Sequence, residues 1–261
     1  MSITSKRLAV IIPSRSSPSQ ASFLSRAISS IRAQTAQRYC AIEVLVCLDK
    51  GESAPALPQQ LDVRFIEAAS SGQAAALNAG AAQASADYLA FLEDDDRWHP
   101  QRLAYALQVL EHADFTSSTQ LEVDENETIV RINDFPTPSG WLMPLSSWHR
   151  VGQFDASFRW HLDNEWLGRL GASGLRRVHL VEATAPVQPQ FAAQVRPWLL
   201  NCLQLGGPQV SLARHPLLVP LVTRLIHGNS GMATIERDPR AGSVSKAEIE
   251  RLIGMYGRFP W

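Results

Sequence analysis

Cysteine is scarce in this sequence: Cys40, Cys47 and Cys202 are the only three among 261 residues. An odd count without metal-type spacing excludes a disulfide framework and a cysteine zinc site, and it predicts a reducing compartment. An excess of one charge is missing too. Twenty-four Lys and Arg face 25 Asp and Glu, a net charge of −1, so no basic field draws the chain to nucleic acid. Long hydrophobic runs are also lacking. The run 8–12 behind Lys6 and Arg7 is too short for the core of a signal peptide. No run approaches the ~20 apolar residues of a spanning helix. The longest apolar stretch, HPLLVPLVTRLIHG, holds two prolines and an arginine. It reads as a packed helix, with a membrane-surface contact as the second reading. A cytoplasmic protein is expected, free or at the inner face of the membrane. Two glycine motifs are absent as well, the G-x-G-x-x-G of dinucleotide folds and the G-x-x-x-x-G-K-[ST] of P-loops. A nucleotide has to be held another way.

What is present is an ordinary globular balance, 45% hydrophobic and 19% charged, in a chain long enough to bury a full core. LAVII (8–12), IEVLVCL (42–48), VRFIE (63–67) and YLAFL (88–92) read as buried strands. Between them lie helices. The first opens on Ser17, Pro18 and Gln20 and turns Leu24, Ala27, Ile28 and Ile31 to one face. The second is the alanine-rich SGQAAALNAGAAQASA, favoured by propensity. HPQRLAYALQVLEHA follows the fourth strand. This alternation predicts an α/β fold, a mostly parallel sheet flanked by helices. Residues 115–160 read as short strands and loops, followed by a helix at 164–171. Residues 190–261 read as mainly helical. Their last helix opens on a Ser245–Glu248 capping box, buries Ile249, Leu252, Ile253 and Tyr256, and stops at Gly257.

Ligands of open α/β sheets bind beyond the carboxyl ends of the strands. Pro13, Ser14 and Arg15 follow the first strand. Asp49, Lys50 and Gly51 follow the second, Ser70, Ser71 and Gly72 the third, and Glu93, Asp94, Asp95 and Asp96 the fourth. Four consecutive carboxylates in a tight turn repel one another. A divalent cation relieves that, and hard oxygen ligands suit Mg2+ or Mn2+ bridging protein to phosphate. The competing reading is a solvated acidic turn before a helix, which the helix dipole favours.

The segments VIIPSR, RAISSIRAQT, IEVLVCLDKG and SGQAAALNAGAAQASADYLAFLEDDDRWHP occur in this order. They resemble the nucleotide-sugar half of family-2 glycosyltransferases, which have the GT-A fold. SGWLMPLSSWHRVGQFDASFRWHLDNEWLGRL resembles that family's acceptor half. The resemblance implies a donor-binding half over 1–110, an acceptor and catalytic-base half over 111–189, and a helical C-terminal extension over 190–261. It places Pro13, Ser14 and Arg15 at the nucleoside side and Asp49 on the base or ribose. Gly72 and Asn78 line the donor pocket, and Asp94 and Asp95 adjoin the donor. Asp95 and Asp96, with Glu93, hold Mn2+ or Mg2+. Asp163 is the catalytic base, and Arg169 stands where the family often has an arginine. A late histidine completes the metal shell in some GT-A enzymes, which nominates His227; the alternative is a helix-end histidine near the last carbonyls. The chain departs from the family at Glu93, where an aspartate is usual, at Leu48, which takes the place of an Asp, and at Leu162, which replaces a Glu.

The expected reaction is an inverting displacement. The donor is a nucleoside-diphosphate sugar, UDP-linked by family habit, and the acceptor a hydroxyl of a glycan, a lipid-linked or a small molecule. A non-catalytic sugar-nucleotide or glycan-binding relative is the alternative, favoured by the three departures. A nucleotidyltransferase ranks last, since only Arg15 follows the first strand. Asp163 could instead cap the helix beginning near Asn164, and Glu165 and Arg169 read as a helix-surface ion pair. Trp141, Trp160 and Trp166 read either as sugar platforms or as packing.

Overall fold

A computed structural model gives the fold and describes residues 6–15, 21–57, 62–184 and 210–260. Ser17, Pro18, Gln20 and Cys202 lie outside the described residues. Strand β1 (Lys6–Ser14) runs in parallel between β2 (Cys40–Leu48) and β4 (Tyr88–Phe91), and β3 (Arg64–Glu67) extends the sheet beyond β2. A central strand is covered on both faces. That is why Leu8–Ile12 can be apolar without alternation. Helix α1 (Ala21–Arg32) buries the four residues expected of it on one side of the sheet. Helix α2 (Gln73–Gln83) packs on the other side. Gly80 fits there for a steric reason: a Cβ would stand 2.6 Å from both Cys47 Sγ and Ile11 Cγ2.

Beyond β4 the chain forms β5 (Arg97–Trp98) and α3 (Arg102–Val109). Strands β6 (Phe115–Ser118), β7 (Gln120–Val123), β8 (Ile129–Asn133) and β9 (Leu142–Pro144) follow, then α4 (Leu145–Val151), α5 (Leu162–Ala172) and β10 (Arg177–Val181). The last elements are β11 (Val210–Arg214), β12 (Val222–Leu225), α6 (Gly231–Arg237) and α7 (Pro239–Tyr256). The main sheet has the order β11-β10-β6-β9-β4-β1-β2-β3. It is parallel except at β9, which is antiparallel to β4 and β6. The α/β expectation therefore holds. A second sheet, β5-β12-β7-β8, was not foreseen.

The C-terminal segment needs correction. Its described residues, 210–260, hold two strands as well as two helices. The apolar run read as a helix is a loop and strand β12. Pro216 and Pro220 bar a helix. Val222 and Leu225 are buried against β7, while Leu218 and Val219 stay 69% and 47% exposed. Helix α7 starts seven residues earlier than expected. Asp238 caps it by accepting Arg240 N–H at 2.9 Å, with Pro239 at the first position. Ser245 and Glu248 lie inside the helix and face inward, whereas Ile253 is exposed. Gly257 does end it, at φ 71°. Helix α5 also starts early, at Leu162, so Asp163 stands in its first turn and not at the cap.

Candidate active site

The ends of β1, β2 and β4 bring the expected loops together. Ser14 Oγ donates to Asp94 Oδ2 at 2.7 Å, joining the first loop to the acidic turn. Pro13 is buried beside it and Arg15 is exposed. Asp49 Oδ1 accepts the Gly72 N–H at 2.8 Å, tying the end of β2 to the start of α2. Gly72 has φ 118°, a conformation side chains resist, so glycine is required for that closure. Asn78 exchanges two 2.9 Å hydrogen bonds with the backbone of Phe154, so its amide fastens α2 to the acceptor-side loop.

The acidic turn is sorted by its partners. Asp96 is 2% exposed; its Oδ2 accepts from Ser139 Oγ at 2.5 Å and its Oδ1 from Leu225 N–H at 3.3 Å. Glu93 Oε1 accepts from Gln73 Nε2 at 2.7 Å. Asp95 turns the other way, and His227 Nε2 donates to its Oδ2 at 2.9 Å. His227 is itself buried, with its ring on Phe23 at 5.5 Å. Burial pushes the Asp94 carboxyl up to about 7, helped by Asp95, and Asp96 up to about 8 for the same two reasons. Burial likewise raises Glu93, with Asp95, Asp96 and Asp94 adding to it. The hydrogen bond to Asp95 holds His227 above its usual value.

Arg224 is a cation beside the acidic turn that the sequence reading missed. It projects from β12, pairs with the buried Glu122 at 3.2 Å, and exerts its charge on Glu93, Asp95, Asp96 and Asp163. Its only sequence signal is an arginine amid apolar residues in VTRL. Asp163 is half-buried. Burial raises its pKa, opposed by the Asn164 N–H and by His161 and Arg224. Glu165 and Arg169 do pair, at 2.7 Å, but not on the surface: Glu165 is buried. Arg169 also donates to the carbonyls of Val151 and Gln153, clamping α5 to the loop after α4. Trp141 and Trp166 are fully buried among Phe91, Phe115, Trp148 and Phe154, so they are packing and not sugar platforms. Trp160 alone of the three keeps partial exposure.

Does this site suit a divalent cation? Two neighbouring ligands on a small cation stand ~3 Å apart, and Asp95 Oδ2 and His227 Nε2 are 2.9 Å apart. One carboxylate oxygen and one imidazole nitrogen suit Mn2+. Among the described residues no group of three or more His, Cys, Asp or Glu is placed to hold a metal ion. Asp95 and His227 would supply at most two ligands to such an ion.

The fold is a GT-A-type α/β fold, a mostly parallel sheet with an acidic turn at its carboxyl edge. The Glycosyl transferase family 2 model matches residues 9–164, and the chain belongs to that family. An uncharacterized glycosyltransferase of Nostoc sp. is 34% identical over 116 residues, covering 41% of this chain and 34% of the relative. The chain thus spans about a third of that curated relative. Among solved structures, S. aureus TarS aligns over 95% of this chain and 43% of its own, at TM-score 0.55 and 10% identity. TarS 1–349 in complex with UDP-GlcNAc aligns over 95% of this chain and 66% of its own, at TM-score 0.55 and 11% identity. At such identities the likeness is one of fold. No helix among the described residues is long and apolar enough to cross a membrane.

Proposed function

We propose that this protein transfers a sugar from a nucleoside-diphosphate sugar, a UDP-sugar by the likeness to TarS in complex with UDP and with UDP-GlcNAc, to an acceptor hydroxyl with inversion. The observation that carries this reading is the Asp95–His227 corner at the strand ends. Ser14, Asp94, Asp49 and Gly72 form the donor side. A divalent cation held by Asp95 and His227 would stabilise the departing diphosphate as a Lewis acid. Asp163 takes the proton of the acceptor hydroxyl. Burial raises its pKa, which makes it a stronger base than an ordinary carboxylate. Glu93, Asp94 and Asp96 hold the turn in shape through bonds that point inward.

Calorimetry with UDP, GDP and dTDP, with and without manganese, tests the site. One nucleotide should bind, and only with the ion. Asp95→Ala should abolish that binding with little change in melting temperature. Asp96→Ala should chiefly lower the melting temperature, because it unties the turn from Ser139 and β12. Binding of no nucleotide in either condition would sink the transferase reading and leave a GT-A scaffold with another ligand.

A further inference from the structure

Helix α7 carries a carboxylate on the face it buries. Glu248 is 6% exposed and accepts the backbone N–H groups of Arg159, Trp160 and His161 at 2.6, 2.9 and 3.0 Å. These are three consecutive residues, and α5 begins at the next one. Burying a carboxylate is costly unless charge-assisted hydrogen bonds replace its water. Here three of them do. Neighbouring contacts reach the same turn. The Ser245 hydroxyl lies 2.8 Å from His161 Nε2, and Asn164 Nδ2 donates to the Pro260 carbonyl at 2.9 Å. Helix α7 and the tail behind it therefore grip the chain on both sides of Asp163.

The body of α5 does not need this grip. Trp166, Leu167 and Leu170 are buried in the main core, and Arg169 clamps the helix to Val151 and Gln153. What Glu248 fixes is the approach to the first turn, where Asp163 sits. A carboxylate acting as base has to hold its aim to within a fraction of an ångström. We propose that Glu248 is a positioning residue for Asp163, holding the backbone of 159–161 so that the Asp163 carboxylate keeps its orientation toward the acceptor. This rests on the reading of Asp163 as the base.

Glu248→Gln tests it on the full chain. The side chain keeps its size, but its amide nitrogen has to face a backbone N–H, so at least one of the three bonds is lost. In hydrogen exchange, the amides of 159–161 should open about 10-fold more readily or more, with β1, β2 and the rest of α5 unchanged. Nucleotide release in water is then read for UDP-, GDP- and dTDP-sugars with manganese. The kcat of the hydrolysed donor should fall about 10-fold or more, with its KM and the affinity for the free nucleotide within about 2-fold. Leu252→Ala removes a buried apolar side chain four residues along α7. It should lower the melting temperature at least as much and leave kcat near wild type. Unchanged exchange at 159–161 overturns the proposal whatever the donor. So does a kcat in Leu252→Ala as low as in Glu248→Gln. Asp163→Asn separates the two readings. If it is inactive while Glu248→Gln turns over normally, the base stands and the positioning role is overturned. If Asp163→Asn turns over normally, the base assignment fails and the positioning role falls with it.

Discussion

Gly168 lies on α5 where Tyr256 of α7 crosses it. A Cβ there would stand 2.5 Å from Tyr256 Cε2 and Cζ and 2.9 Å from Cε1, closer than real contacts allow. Gly168→Ala sets two effects against each other. Alanine in a helix interior is favoured over glycine by about 1 kcal/mol. The clash displaces the ring at an overpacking cost of about 1–3 kcal/mol. It also breaks the Tyr256 hydroxyl's 3.3 Å contacts with Glu165, at about 1 kcal/mol more. The balance is a loss of about 1–3 kcal/mol, or a melting temperature lower by about 3–9 °C. In a Tyr256→Ala background the clash is gone and only the helix preference remains, so the same substitution should stabilise by about 1 kcal/mol. Urea unfolding of the four proteins measures both numbers. A change of the same sign in both backgrounds would refute the reasoning and show that α7 does not seat on Gly168.

Two further predictions concern the acidic turn. The carboxyls of Asp94 and Asp96 are raised by burial and by Asp95 to about 7 and about 8, so between about pH 4 and those values the native state binds more protons than the unfolded one. Their contribution is full below about pH 4 and is lost as pH rises through 7 and 8. In chelator each pH unit of that window costs about 1.4 kcal/mol per excess proton. Melting temperature should fall from pH 5 to 8.5, and manganese should flatten the slope; a rise would contradict the burial. Ser139→Ala removes both the donor to Asp96 and the acceptor of the Glu93 N–H, and should cost about 2–4 kcal/mol in urea unfolding. A loss under about 0.5 kcal/mol would mean the turn does not depend on Ser139.

The first half of the fold was legible because each element there carries its own signal. β1 and β2 carry the apolar runs 8–12 and 44–48, α1 shows one buried face, and α2 is rich in alanine. The second sheet carried no such signal. Its strands have two to five residues and include Gln120, Glu122, Arg131 and Arg224. Three of those polar residues, Glu122, Arg131 and Arg224, pair across strands. Glu122 accepts from Arg131 at 2.6 Å, Asn133 at 2.7 Å and Arg224 at 3.2 Å. Strands this short give a period-2 reading too few residues to count, and the Glu122–Arg224 pair joins residues 102 positions apart. Ser245 and Glu248 misled for a different reason. They match a capping box by spacing, yet both point across to residues 159–161, while the true cap signal, Asp238 before Pro239, lies seven residues upstream.

The acidic turn shows the same limit at the scale of one atom. Four adjacent carboxylates are equivalent in the sequence, and only their partners distinguish them. Those partners are Ser14, Gln73, Ser139 and the N–H of Leu225, from four separate segments. Each removes one carboxylate oxygen from the reach of a cation, and Asp95 is left facing His227. The exchange of aspartate for glutamate at position 93 then acquires a physical reason. The extra methylene lets Glu93 reach the Gln73 amide on the first turn of α2, so that residue couples the turn to α2. A site built this way would need only one carboxylate of the run to meet a cation. The departure at Glu93 is therefore compatible with an intact donor site, and it weakens the case for a non-catalytic relative.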